Sequence, residues 1–139
     1  MATVLFVCKA NQGRSVMSQA LLERAAAGRH RGLSAGSDAQ PGGSAHPEVI
    51  EAMGEIGVDV SGHDPKRLTR ELAERADVVV TMGCGDACPY IPGKRYVDWE
   101  LPDPKGQPVQ EVRATRDDIA ARVEELVAEL DTWRAGKEG

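Results

Sequence analysis

Cys8 and Arg14 stand with five residues between them in the run VCKANQGRS, and Ser15 follows at once. A cysteine thiolate is a nucleophile, and a guanidinium is a planar fork that matches two oxygens of a tetrahedral oxyanion. If Lys9, Ala10, Asn11, Gln12 and Gly13 wrap around a point, their successive amides form an anion-binding nest with Arg14. A helix starting there adds the positive end of its dipole. The same field favours the ionised form of Cys8, with the Ser15 hydroxyl as a further donor. Gly13 permits a close backbone turn, and Asn11 tolerates a left-handed conformation. The chemistry implied is a sulfur nucleophile beneath a bound oxyanion. The plainer alternative is a small buried cysteine and an ordinary surface arginine. Nucleotide loops do not fit, because neither a Gly-Lys-Ser/Thr ending nor GxGxxG is present.

Two further groups could react. Cys84 and Cys88 lie close together in MGCGDACP, and Asp103 precedes a proline in WELPDPKG. Read alone, the cysteine pair is a redox couple, two buried thiols, or half of a zinc site. Zinc asks for four ligands, and His30, His46 and His63 show no matching spacing. Surface or capping roles are the expectation for those histidines.

The elements that must position these groups follow from periodicity. Thr3 to Val7 is β-branched or apolar throughout and reads as a buried parallel strand. It delivers Cys8 to a loop, and a helix begins at Ser15 with Val16, Ala20 and Leu21 on one face, fading near Gly28. A short strand is expected at 32–36. Pro47 suits the first position of a helix running from Glu48 to Ile56. Asp64-Pro65 reads as the cap and first turn of the next helix, striped by Leu68, Leu72 and Ala76. A buried strand is expected at 77–82 and a short one from Lys94 to Val97. Thr115 is expected to cap a last helix carrying Ile119, Val123, Leu126, Val127 and Leu130. The alternation predicts an α/β fold, a doubly wound sheet of about four parallel strands flanked by helices. Loops leaving the carboxyl ends of its strands would carry Cys8 and Arg14, then Cys84 and Cys88, then Asp103, which argues for one site.

The chain's 139 residues suit a single domain spanning 1–139, with 41% hydrophobic and 28% charged residues as in soluble globular proteins. A net charge of −5 argues against a nucleic-acid partner. No apolar run approaches a membrane span and no secretory leader is visible, so a cytoplasmic monomer is expected. Three cysteines in a reducing compartment point to chemistry rather than structural disulfides.

CKANQGRS after the first strand, SAG at 34–36, HPEVIEAMGEIGVDVSGH and a late Asp-Pro together resemble the low-molecular-weight tyrosine phosphatase superfamily, over essentially the whole chain. VVTMGCGDACP and DWELPDPKG resemble its arsenate reductase branch. The resemblance implies Cys8 as nucleophile, Arg14 as oxyanion clamp, Asn11 and Ser15 as loop supports, and Asp103 as general acid ahead of Asp98 and Glu100. It further implies arsenical resistance chemistry. Arsenate bound in the loop reacts with Cys8, Cys84 then forms a Cys8–Cys84 disulfide, and Cys88 leaves a redox-active Cys84–Cys88 disulfide for thioredoxin. No bound cofactor or metal is implied. The cysteine-bearing loop is about two residues shorter than in thioredoxin-coupled members. CGDxCP also resembles reductases that hand the adduct to mycothiol, with mycoredoxin downstream. Some members hold potassium beside the loop; matched by order, Gln19 and Lys66 stand where acidic ligands would be, so no cation is expected and Lys66 is expected to replace its charge.

Phosphatases of this family wall the pocket with aromatics. Here Lys105-Gly106 follows Pro104, SDAQPGGSA contains no aromatic, and the chain has two Trp, two Tyr and one Phe in all. Trp99 is the one nearby candidate, expected as a wall or, in the plainer reading, as a ring anchoring the loop. A tyrosine phosphatase thus remains the alternative to the reductase.

Overall fold

The structure, a computed structural model, describes residues 1–83 and 94–138. Its elements run β1 (Thr3–Cys8), α1 (Arg14–Ala26), β2 (Arg31–Gly36), α2 (Pro47–Gly54), α3 (Arg70–Glu74), β3 (Val78–Thr81), β4 (Arg95–Asp98) and α4 (Val109–Glu138). The four strands form one parallel sheet in the order β2-β1-β3-β4. This is the doubly wound arrangement that the alternating pattern predicts.

β1 lies inside the sheet because its side chains find apolar partners on both faces. Val4, Phe6 and Cys8 face the larger core with Met17 and Leu22 of α1, Met53 of α2, and Ile119 and Leu130 of α4. Leu5 and Val7 face a smaller core with Ala35, Val79 and Ala73 of α3. From β1 the chain passes to β2 on one side, and β3 pairs on the other. The carboxyl end of β1 is therefore the switch point of the sheet, where open α/β folds leave a crevice. Cys8 is the last residue of that strand.

Two helix starts differ from the sequence reading. Asp64-Pro65 does not open a helix. The main chain at 66–68 instead bridges the sheet beside β2, with Gly36 N–H donating to the Lys66 carbonyl at 2.8 Å and Leu68 N–H to the Gly36 carbonyl at 2.9 Å. Those groups are thereby unavailable to a helical turn, and α3 starts later, where Thr69 Oγ1 accepts from Leu72 N–H at 3.1 Å. Likewise Thr115 does not cap α4. The helix begins behind Pro108, whose carbonyl accepts from Glu111 and Val112, and the Thr115 hydroxyl donates back to the Glu111 carbonyl at 3.2 Å.

Trp99 belongs to the core. It is buried, with its ring 5.8 Å from that of Phe6, so the anchoring reading holds and the pocket-wall reading does not. Among the described residues no helix is long and apolar enough to cross a membrane.

The α1, α2 and α4 layer is held by such buried side chains. Ile119→Ala should destabilise the fold by about 2–5 kcal/mol, the usual range for truncating a buried isoleucine. Urea denaturation would measure it, and a loss under about 1 kcal/mol would show that α4 is not held through this contact.

Candidate active site

The segment from Cys8 to Arg14 forms a cradle because its carbonyls are bonded away from it. The Cys8 carbonyl accepts from Ser37 N–H (3.0 Å), Lys9 from Asp38 N–H (2.8 Å), Gln12 from His46 N–H (2.9 Å) and Gly13 from Met17 N–H (3.0 Å). The Asn11 carbonyl accepts from His63 Nε2 at 2.9 Å. In a trans peptide the N–H points opposite to the C=O that precedes it. The amides of Lys9, Ala10, Gln12, Gly13 and Arg14 are thus turned to the inner side, where the N-terminus of α1 also points. Asn11 takes φ +56°, the left-handed conformation expected of it. Gly36 closes the back: a Cβ there would stand 2.6 Å from the Lys9 carbonyl oxygen and 2.8 Å from the Asn11 nitrogen.

The Cys8 sulfur is buried at the bottom. Asn11 N–H donates to it at 3.3 Å and Ser15 Oγ lies 2.9 Å away. Ser15 Oγ accepts from Asn11 Nδ2 at 2.7 Å, which leaves its own O–H for the sulfur. Two donors are thus aimed at the sulfur. Asn11 is oriented in turn by the Lys66 main-chain N–H (2.9 Å) and His63 Nε2 (3.1 Å), both donating to its Oδ1. Since His63 Nε2 faces only carbonyl-type acceptors on Asn11, that nitrogen carries the proton.

Arg14 is largely buried, yet its guanidinium is only partly engaged. Nη1 donates to the Leu101 carbonyl at 3.3 Å, and Nη2 lies 3.7 Å from Asp103 Oδ2. Gly83, at φ +81°, packs on Nη1, where a Cβ would stand 2.8 Å away. Nε is buried with no hydrogen-bond partner among the described residues. A buried cationic N–H without a partner is costly unless an anion supplies one. Asp103 is half exposed, and its Oδ1 accepts from Lys105 N–H at 3.0 Å. The cleft these groups share encloses about 320 Å³ and is lined by the cradle together with Asp38, Gln40, His46, Asp103 and Lys105.

The structure therefore brings Cys8, Arg14, Ser15, Asp103 and the Lys9–Gly13 stretch into one place. Asp98 is spent elsewhere, accepting from Thr81 Oγ1 at 2.7 Å. Cys84 and Cys88 lie outside the described residues. The capping expectation holds by position for His46, the N-cap residue of α2, but sequence reasoning missed what the histidines do at the site and in the core. His63 orients the cradle from 52 positions away, His46 walls the cleft, and His30 is buried with Nδ1 accepting from Ala2 N–H and Nε2 bonded to Asp131. These contacts are made by folding, and nothing local in the sequence marks them. At the suspected cation position, Gln19 is bonded to Ser34 and the Gly32 carbonyl, while the Lys66 ammonium rests on the Asp64 carbonyl. Lys66 supports the cradle through its main-chain N–H, which donates to Asn11 Oδ1.

Burial pushes the His63 imidazole below its usual value of 6.5, the bond to Asn11 opposes this, and the Lys66 charge adds to it. The unfolded chain then takes up this proton at a higher pH than the folded one. Stability is full above about pH 6.5 and is lost as pH falls through the lower folded-state value. His63→Gln, which can donate but not titrate, should shrink the stability difference measured by urea denaturation between about pH 7.5 and about pH 5.5. Equal losses in parent and variant would refute the assignment.

Comparison with known proteins places this geometry. Residues 3–135 match the family described as low molecular weight phosphotyrosine protein phosphatase. A Synechocystis glutaredoxin arsenate reductase is 34% identical over 133 residues, 94% of this chain and 99% of that protein. A Corynebacterium glutamicum thioredoxin-dependent arsenate reductase matches with a TM-score of 0.81 and 39% identity, over 95% of this chain and 63% of that one, so this chain spans less than two thirds of its length. An arginine phosphatase of Geobacillus stearothermophilus matches as well in shape, with a TM-score of 0.84 at 27% identity over 98% of this chain and 97% of that one. Reductases and phosphatases thus share the architecture, and shape alone does not separate their chemistries. Matched over nearly its whole length and carrying the cysteine–arginine cradle at the end of its first strand, this chain belongs to the low molecular weight phosphotyrosine protein phosphatase family.

Proposed function

We propose that this protein is an arsenate reductase, converting arsenate to arsenite with its own thiols. The observation that carries the reading is the cleft's wall. Beyond the cradle it is lined by Asp38, Gln40, His46, Asp103 and Lys105, with no Phe, Tyr or Trp among the described lining residues. A phosphotyrosine ring needs aromatic or apolar walls. An inorganic tetrahedral oxyanion needs only inward amides, the free edge of Arg14 and the nearby Lys9 and Lys105.

In this reading the Cys8 thiolate attacks arsenic while Asp103 protonates the departing oxygen, which leaves as water. The Cys84 thiolate then attacks the Cys8 sulfur. The S–As bond breaks, its electron pair stays on arsenic as arsenite, and a Cys8–Cys84 disulfide forms. Attack by Cys88 on Cys84 frees Cys8 and leaves a Cys84–Cys88 disulfide, which thioredoxin reduces by dithiol exchange. The relay is supported by the two cysteines in the sequence, by Gly83 packed on Arg14 just before Cys84, and by the name of the Corynebacterium structure. The Synechocystis relative's name favours a second route, in which an external thiol and a glutaredoxin-type protein complete the cycle; mycothiol with mycoredoxin is one form of it.

Coupled assays separate these routes. Cys8→Ser should abolish arsenite formation. Cys84→Ser and Cys88→Ser should each lose thioredoxin-coupled turnover. Full turnover of both variants with mycothiol would replace the relay by the external-thiol route. Aryl phosphate hydrolysis far exceeding arsenate reduction would make the protein a phosphatase instead.

The clamp is tested on its own by Arg14→Lys, which keeps charge but loses the fork. Removing one such oriented donor typically costs about 10²–10³ in kcat. A loss under about threefold would show that Arg14 does not hold the reacting anion.

A further inference from the structure

Gly13 meets residues beyond the cradle. A Cβ built on it would stand 2.4 Å from Pro104 Cγ and 3.2 Å from Cδ, with His46 Cδ2 on another side at 3.5 Å. Pro104 is buried, while its neighbours Asp103 and Lys105 are exposed. The Pro104 ring thus fills the notch that the missing side chain leaves in the cradle.

The two partners are not equally free to move. Gly13 is held on both sides, by the Gln12 carbonyl on His46 N–H and by its own carbonyl on Met17 N–H. Leu101 packs on the larger core, while the 103–107 turn is held within itself through Asp103 Oδ1 on Lys105 N–H and the Pro104 carbonyl on Gln107 N–H at 3.0 Å. Among the described residues, the loop is tied to the site by the seated proline, the Leu101 carbonyl on Arg14 Nη1 and the 3.7 Å Arg14–Asp103 pair. A methyl at position 13 would displace the loop before the cradle.

We infer that Gly13 is a positioning residue for the general acid: the notch seats Pro104, and the seated ring sets Asp103 over the bound oxyanion. This rests on the reading of Asp103 as the acid. Glycine here serves the neighbouring loop as much as the turn it makes.

The test uses Gly13→Ala, Pro104→Ala, the double variant and Asp103→Asn. Single-turnover arsenite formation should fall by about 10²-fold or more in Gly13→Ala, the size of a general-acid contribution, and comparably in Asp103→Asn. Phosphate should still protect Cys8 of Gly13→Ala from iodoacetamide within about threefold of the parent, since the cradle stays intact. Amide exchange at Lys105 and Gln107 should quicken. The double variant, lacking the Cγ and Cδ that clash, should recover about tenfold or more over Gly13→Ala. A double variant as slow as Gly13→Ala, loss of phosphate protection, or unchanged exchange would each overturn the inference. Asp103→Asn turning over at the parent rate would strike the acid reading itself, and the exchange measurement would still decide whether Gly13 seats Pro104.

Discussion

The site depends on hydrogen bonds that never touch the ligand. A run of carbonyls leaving the end of a strand would ordinarily face the crevice as readily as its amides do. Here each bonded carbonyl is claimed from outside, by donors at Ser37 and Asp38 after β2, at His46 before α2, at His63, and at Met17 within α1. Planarity of the peptide does the rest. Four segments supply these five donors, and the sum is a ring of N–H groups facing inward. Within it Asn11 is left-handed, a conformation that would cost an ordinary residue about 1–2 kcal/mol and asparagine less.

Around this ring the charged groups are arranged by what they are denied. Arg14 gives Nη1 to Leu101 and is flanked by a glycine, so the Nε–Nη2 edge is the one left to act. Asp103 lies near enough to pair weakly with it, but remains half exposed and attached to a loop of its own. The cradle and the Asp103 loop meet at Arg14 and where Pro104 packs on Gly13.

Much of this was legible before the structure. The apolar run of β1, the five intervening residues and the Arg-Ser closure were enough to bring Cys8, Arg14 and the amide nest to one place. The sheet followed from alternating strand and helix patterns. Two helix starts were misread because local capping signals compete with tertiary demands. Asp64-Pro65 looks like a helix opening, but its neighbours' main chain is recruited to the sheet, and Thr115 looks like a cap although Pro108 has already started the helix. His63 was missed for a related reason: its partner is 52 residues away, and one histidine in a loop carries no sign of what it will meet. Cys84 and Cys88 rest on the sequence alone.

A ring of main-chain amides and one guanidinium reads only negative charge and tetrahedral shape, and arsenate shares both with phosphate. Such a receptor cannot choose between the two at the binding step, so phosphate must occupy it in proportion to abundance and act as a standing competitor. Selectivity has to arise afterwards, from the readiness of arsenic to take up sulfur and surrender oxygen. Abundant phosphate would therefore slow this protein most when arsenate is scarce.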